Sequence, residues 1–312
     1  MTPRQIGLLI LLSALWGSVF LLVKYALRDF SAVEIAFFQA LIGALGLFVI
    51  VSFQGGAARA KLGDILRRPA QALLLGALAI AAPFMLIALG ELTVPSGLAG
   101  VLVSTTPMFV ALFAPLIDSA MEINRRQGVG LAVGLLGVAL VVGAHFIGSL
   151  GQLVGALALI GAAASGALSS FVVKLLYKDR GVPASTTSFF ALSVGALLTL
   201  PVAVITAPRE LPGTRAVLAV IGLGLLGTAV AFMLYYRLID NIGEERASLS
   251  NYLTPAFALL YGVLLLGETL TVWAVIGLVL IISGAEITLR GAGDRSSRRD
   301  VRTQYRTHPP LH

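Results

Sequence analysis

Phe84-Met85-Leu86 is followed, after nineteen residues, by Thr106-Pro107-Met108-Phe109, and Phe232-Met233-Leu234 is followed, after the same nineteen, by Thr254-Pro255-Ala256-Phe257. Both copies lie in almost uncharged apolar sequence, so the chain carries a duplicated membrane unit. The number of apolar segments per unit decides what the duplication means. A hydrocarbon core of about 30 Å needs roughly 20 apolar residues in a helix. Such runs fall at 6–26, 33–53, 71–89, 94–117, 128–146, 151–176, 185–207, 216–238, 247–266 and 272–289. That is five per unit, and five is odd, so the second copy must enter the membrane upside down. The expected fold is an all-α polytopic membrane protein of ten transmembrane helices, built as two inverted five-helix repeats at 1–147 and 148–290. Inverted repeats are an architecture of secondary transporters, whose substrate site lies near the midplane between the halves.

Composition agrees. The chain is 58% hydrophobic and 12% charged, with mean hydropathy +0.95; a soluble domain has about twice that charged share. The 34 glycines let helix backbones approach where lipid supplies no hydrophobic drive. There is no cysteine, which excludes disulfides and thiolate metal sites, and only three histidines, two of them in the last five residues. No cofactor is expected. The net charge of +7 does not point to nucleic acid, because the excess sits in loops beside apolar runs and in an arginine-rich tail at 291–312, expected to be a disordered cytoplasmic segment. Eighteen of the 22 Lys and Arg fall on one side of the alternating spans, so both termini are expected to be cytoplasmic, in the inner membrane. The first apolar run lacks a small-residue cleavage site and is read as a retained span. Lys24 and Lys174 each follow a valine at the end of a half's first span yet fall on opposite sides, as inversion requires.

No His-Glu metal motif, phosphate loop or nucleophile elbow is present, so no enzyme activity is expected. Glu34, Glu91, Asp118, Glu268 and Glu286 map near span ends, which leaves the bilayer centre without an ionisable group and argues against a proton relay there. A site of hydroxyls, amides and rings suits a small zwitterion or neutral solute. The fourth span has Ser104, Thr105 and Thr106 before Pro107; the ninth has Ser248, Ser250, Asn251, Tyr252 and Thr254 before Pro255. A proline inside a helix frees the carbonyl four residues back, here Val103 and Asn251, so Pro107 and Pro255 are expected as hinges. Trp16 and Phe20 in the first span, Met85 in the third, Ser165 and Ser169 in the sixth and Tyr235 in the eighth complete the expected cavity lining, with Ser104, Thr106, Asn251, Tyr252 and Thr254.

Leu15-Trp16-Gly17-Ser18-Val19-Phe20, with Lys24 following, resembles the opening of the EamA domain of the drug/metabolite transporter superfamily. Gly267-Glu268-Thr269-Leu270, followed by Gly277 and Gly284, resembles that domain's closing pattern, with Glu122, Gly130 and Gly137 as a weaker first-half version. The resemblance spans residues 6 to 289 and extends to bacterial amino-acid exporters of the YddG type. It implies ten helices, a central cavity and export of amino acids or other metabolites. One departure matters: where family members often carry an arginine after a phenylalanine in the second span, this chain has Phe38-Gln39. The expected function is therefore export of small metabolites, amino acids including aromatic ones, by alternating access. Efflux of drugs or toxic cations, and a passive solute channel, are the alternatives. The expected partners are the solute and the lipid bilayer, with no nucleic acid and no obligate protein partner.

Overall fold

In a bilayer core no water can satisfy the backbone, so an apolar run folds as a helix that bonds its N–H and C=O groups internally. The computed structural model of the chain describes residues 1–53, 67–117, 123–146, 149–176, 182–206 and 210–307. Among them every regular element is helical. The first two helices are α1 (Pro3–Ala26) and α2 (Ala32–Phe53). A third span is made of α3 (Pro69–Gly76), a π-helical turn at Ala77–Ala81 and α4 (Ala82–Glu91). There follow α5 (Ser96–Val103), α6 (Thr106–Ile117), α7 (Arg125–Phe146), α8 (Leu150–Leu176) and α9 (Ala184–Ile205). A second composite span joins α10 (Thr214–Gly224), a π-helical turn at Leu225–Val230 and α11 (Ala231–Ile242). The chain closes with α12 (Glu244–Ala247), α13 (Ser250–Leu266) and α14 (Val272–Thr307). Eight stretches are long and apolar enough to cross a membrane, and Ser250–Leu266 and Val272–Thr288 are shorter apolar helices.

Local sequence explains the helix starts. Thr2 and Gln5 form a reciprocal capping box ahead of Pro3. At α2 the Glu34 carboxylate accepts from the Ser31 N–H (2.7 Å) while the Glu34 N–H donates to the Ser31 hydroxyl (3.3 Å). Glu34, at a span end as expected, is thus a capping residue.

Small residues set the helix pairs. A Cβ on Gly284 would lie 2.5 Å from the Gly134 nitrogen, one on Gly130 would lie 2.6 Å from the Thr288 nitrogen, and one on Gly277 would lie 3.0 Å from the Gly137 carbonyl oxygen. Position numbers rise along α7 as they fall along α14, so these two helices run antiparallel in backbone contact. The same holds for α2 and α9, where Ser31 meets Thr206 (3.3 Å), Gly43 faces Leu192 and Phe48 faces Phe189 (5.9 Å). It holds again for α5 and α13, where Gly97 faces Leu259 and Gly100 faces Ala258.

Packing partners are also exchanged between the halves. Gly76 of α3 abuts Val194 of α9, and Gly224 of α10 abuts Ile42 of α2. Ile80 of the first π turn fills the space beside Gly195, and Thr228 of the second fills that beside Gly43.

Two expectations change on the backbone. Pro107 does not interrupt a helix: Ser104 and Thr105 form a turn that ends α5, and Pro107 sits in the first turn of α6, where a missing N–H costs nothing. Pro255, by contrast, is buried inside continuous α13. The α14 backbone continues as helix past Arg290 into the arginine-rich segment. Asp118, Glu122 and the two tail histidines lie outside the described residues.

Candidate functional site

Gly17 fixes how α1 meets α13. A Cβ there would stand 2.5 Å from Phe257 Cβ and 3.0 Å from the Thr254 carbonyl oxygen, so the two backbones touch. One residue away, half-buried Trp16 lies 5.3 Å from Tyr235, tilted by 54°. The aromatic run continues to Tyr236 (6.2 Å) and from it to Phe232 (6.1 Å), and the Tyr236 hydroxyl bonds Ser188 on α9. Rings from α1 and α11 are thus anchored to α9. Met85 is half-buried on α4. Phe20 differs: it is 5% exposed, with its ring 3.3 Å from a Cβ placed on Gly100, in a core with Leu98, Leu102 and Ala258.

The expected hydroxyls turn onto their own backbone. Ser104 donates to the Val101 carbonyl (2.6 Å), Thr105 to Leu102 (2.7 Å) and Thr106 to Val103 (2.8 Å), which dresses the carbonyls at the α5–α6 break. Ser169 donates to Gly166 (2.7 Å), and Thr254 to Ser250 (2.9 Å), whose carbonyl also accepts from Ser13 of α1 (3.2 Å). With their protons committed, these oxygens keep only acceptor lone pairs. Thr106 also faces α8, 3.8 Å from a Cβ on Gly166. Asn251 is exposed and Tyr252 half-buried.

The two π-helical turns were not read from sequence. They occupy corresponding places, immediately before Ala82-Pro83-Phe84-Met85-Leu86 and before Ala231-Phe232-Met233-Leu234. Such single turns are rare and frequent at functional sites. Each is tied to another helix. Ser165 of α8 donates to the Leu78 carbonyl in the first (2.9 Å). In the second, Thr228 donates to Leu223, five residues back (2.9 Å), and accepts from the Gln39 amide (3.3 Å). Gln39 is 4% exposed, so this amide is a bridge between α2 and the π turn. Pro83 was a signal for the first turn; Ala231, at the corresponding place, gives none.

Four helix ends converge near Lys24. Its ammonium donates to the Glu91 carbonyl, the last residue of α4, and to the Val94 carbonyl (2.9 Å) just before α5. The Tyr25 hydroxyl donates to Leu265 near the end of α13 (3.3 Å), and the Arg28 guanidinium lies 5.1 Å over the Tyr25 ring. Gly267 takes φ +67°, which a side chain would strain, and turns the chain so that Glu268 returns. The Glu268 carboxylate accepts from Ser96 N–H (2.7 Å) and Gly97 N–H (2.9 Å), capping the first half's α5 from the second half.

The model of the EamA-like transporter family matches twice, over residues 4–143 and 153–290. The chain belongs to that family. It is a multi-pass membrane protein with two repeats. It is 28% identical over 282 residues to a Bacillus subtilis protein described as an uncharacterized transporter, YdfC, covering 89% of this chain and 88% of that one. It is 28% identical to the Escherichia coli inner membrane transporter YedA over 279 residues, covering 88% and 87%. A probable terminal-alkyne amino-acid exporter of Streptantibioticus cattleyicolor is 26% identical over 307 residues, covering 97% and 98%. One solved crystal structure matches with a TM-score of 0.62 at 19% identity, over 94% of this chain and 99% of that one, a likeness of fold.

Proposed function

We propose that this EamA-family transporter exports small zwitterionic metabolites, amino acids including aromatic ones, by alternating access through a central cavity between two inverted five-helix repeats. The observation that carries the reading is the antiparallel pairing of corresponding spans, α2 with α9, α5 of the fourth with α13 of the ninth, and α7 with α14, together with the exchange of Gly76–Val194 for Gly224–Ile42. Repeats in the same orientation would pair corresponding helices in parallel. An antiparallel exchange lets one sequence unit gate one leaflet and its copy gate the other.

Ten spans follow, with both termini in the cytoplasm of a bacterial-type inner membrane, an orientation supported by the Lys and Arg asymmetry. The cargo assignment rests on chemistry. Trp16, Tyr235, Tyr236 and Phe232 supply a ring surface, while Ser104, Thr106, Ser169 and Thr254, their protons committed to backbone carbonyls, keep acceptor lone pairs of the kind an ammonium group needs. Pro255 inside α13 and the α5–α6 break beside Pro107 act as hinges between states, and the protein works as a carrier with no chemical step. The alkyne amino-acid exporter among its relatives supports the cargo class.

Counterflow tests this directly. Purified protein in liposomes, loaded with a labelled panel of amino acids, should release aromatic ones faster when the unlabelled compound is outside, because a carrier returns loaded. No acceleration for any member of the panel would contradict the assignment.

A further inference from the structure

The lysine pair that marks the inversion in sequence has unequal surroundings. Lys24 is half-buried and bonded to the carbonyls of Glu91 and Val94, which ties the end of α1 to the α4–α5 hairpin. Lys174, which follows Val173 as Lys24 follows Val23, is exposed near the end of α8 and has no hydrogen bond among the described residues. The register between the halves gives the missing partners. Phe232 follows Phe84 by 148 positions, and in the same register α5 begins at Ser96 and α12 at Glu244. Glu91 and Val94 then correspond to Ile239 and Ile242, at the end of α11. That end is a helix C-terminus closed by Gly243 at φ +85°, whose N–H donates to the Ile239 carbonyl (2.9 Å). A carbonyl oxygen has a second lone pair, and the last turn of a helix attracts a cation.

We propose that Lys24 and Lys174 are alternating gate latches, each closing its own end of the protein by docking its ammonium on the hairpin carbonyls of its own half. The described state has the Lys24 latch closed and the Lys174 latch open. In the opposite state Lys174 docks on the carbonyls of Ile239 and Ile242, and Lys24 leaves those of Glu91 and Val94. The latches are not equal. The Lys24 dock is braced from the other half, because the Glu268 carboxylate accepts from the Ser96 and Gly97 N–H groups just past the Val94 carbonyl, whereas α11 simply ends at Gly243 after Ile239 and Ile242. The Lys24 latch is therefore the stronger, and it is the one found closed. This rests on the inverted-repeat reading, though not on the identity of the cargo.

The cysteine-free chain permits a direct test by paired spin labels in lipid nanodiscs without added solute. One pair, Arg28→Cys with Leu92→Cys, reports the Lys24 end; the other, Ser170→Cys with Asn241→Cys, reports the Lys174 end. Lys24→Gln should lengthen the first distance and shorten the second, shifting the ratio of the two states by about tenfold or more, since hydrogen bonds from a charged donor are the strong ones. Lys24→Arg, which can still donate, should keep most of the wild-type ratio. Adding Lys174→Gln to Lys24→Gln should move the ratio back toward wild type, because both latches are then weakened. Unchanged distances in Lys24→Gln, or no reversal in the double variant, would overturn the proposal. Opposite shifts in these distances with no amino-acid counterflow would instead sink the cargo assignment and leave the latches standing.

Discussion

The two halves share a packing scheme and differ in how they are fastened. Gly76 and Gly224 abut Val194 and Ile42 in exchanged positions, and a π-helical turn follows each glycine. Close backbone approach is a geometric demand, so both copies keep it. The polar fittings have diverged. The first half breaks its fourth span at Ser104 and Thr105, just before Pro107, whereas the second breaks at Ser248 and Leu249, so that α13 runs unbroken through Pro255. The first π turn carries Ile80 where the second carries Thr228, bonded to Gln39. Lys24 is held by two carbonyls, and Lys174 is exposed. A duplicated unit thus keeps what close packing requires and varies its polar fastenings.

The prolines give the largest expected difference. An interior proline costs about 3 kcal/mol relative to alanine, whereas one in the first helical turn costs little. Pro255→Ala should therefore raise stability by about 1 to 3 kcal/mol, part of the gain being offset by lost packing of a buried ring. It should also slow efflux, because gating uses a few residues that absorb backbone change. Pro107→Ala should change melting temperature much less, since the α5–α6 break is dressed by three hydroxyls independently of the proline. Equal melting shifts for the two would mean that the prolines are not differently placed, and unchanged efflux in both would end the hinge role.

A smaller effect sharpens the comparison at the π turns. Thr228→Val makes the second turn apolar, like Ile80 in the first, but strips the buried Gln39 amide of its partner. A net loss of about 1 to 2 kcal/mol is expected. Combining it with Gln39→Leu should recover most of that loss, since removing both partners leaves nothing unsatisfied. A double variant as unstable as the sum of the two singles would mean that the bridge carries no energy of its own.

These features also mark where sequence stops being informative. The spans were legible because a bilayer core tolerates only long apolar runs, and the repeat because Phe-Met-Leu and Thr-Pro recur at fixed spacing. The capping box at Thr2 and Gln5 is local and follows from residues three apart. The Glu268 cap on Ser96 and Gly97 is not local: it joins residues more than 170 positions apart, and only the meeting of α13 with α5 creates it. The same is true of Gln39 with Thr228 and of Ser165 with Leu78. Ser104 and Thr106 stand out in the sequence as polar groups in an apolar run, but which way a hydroxyl turns depends on the carbonyls the backbone leaves free. Phe20 lies in the quoted opening motif, and only packing against Gly100 places its ring in the core.

One labelling experiment addresses the opposite orientation of the two halves without any knowledge of cargo. Arg28 and Lys178 occupy corresponding positions, each four residues past a latch lysine. Single cysteines placed there should react from opposite faces of the membrane. A membrane-impermeant maleimide added to intact spheroplasts should label Arg28→Cys and should reach Lys178→Cys only after permeabilisation. Labelling of both from the outer face, or protection of both until the membrane is opened, would contradict the inverted arrangement and with it the paired latches.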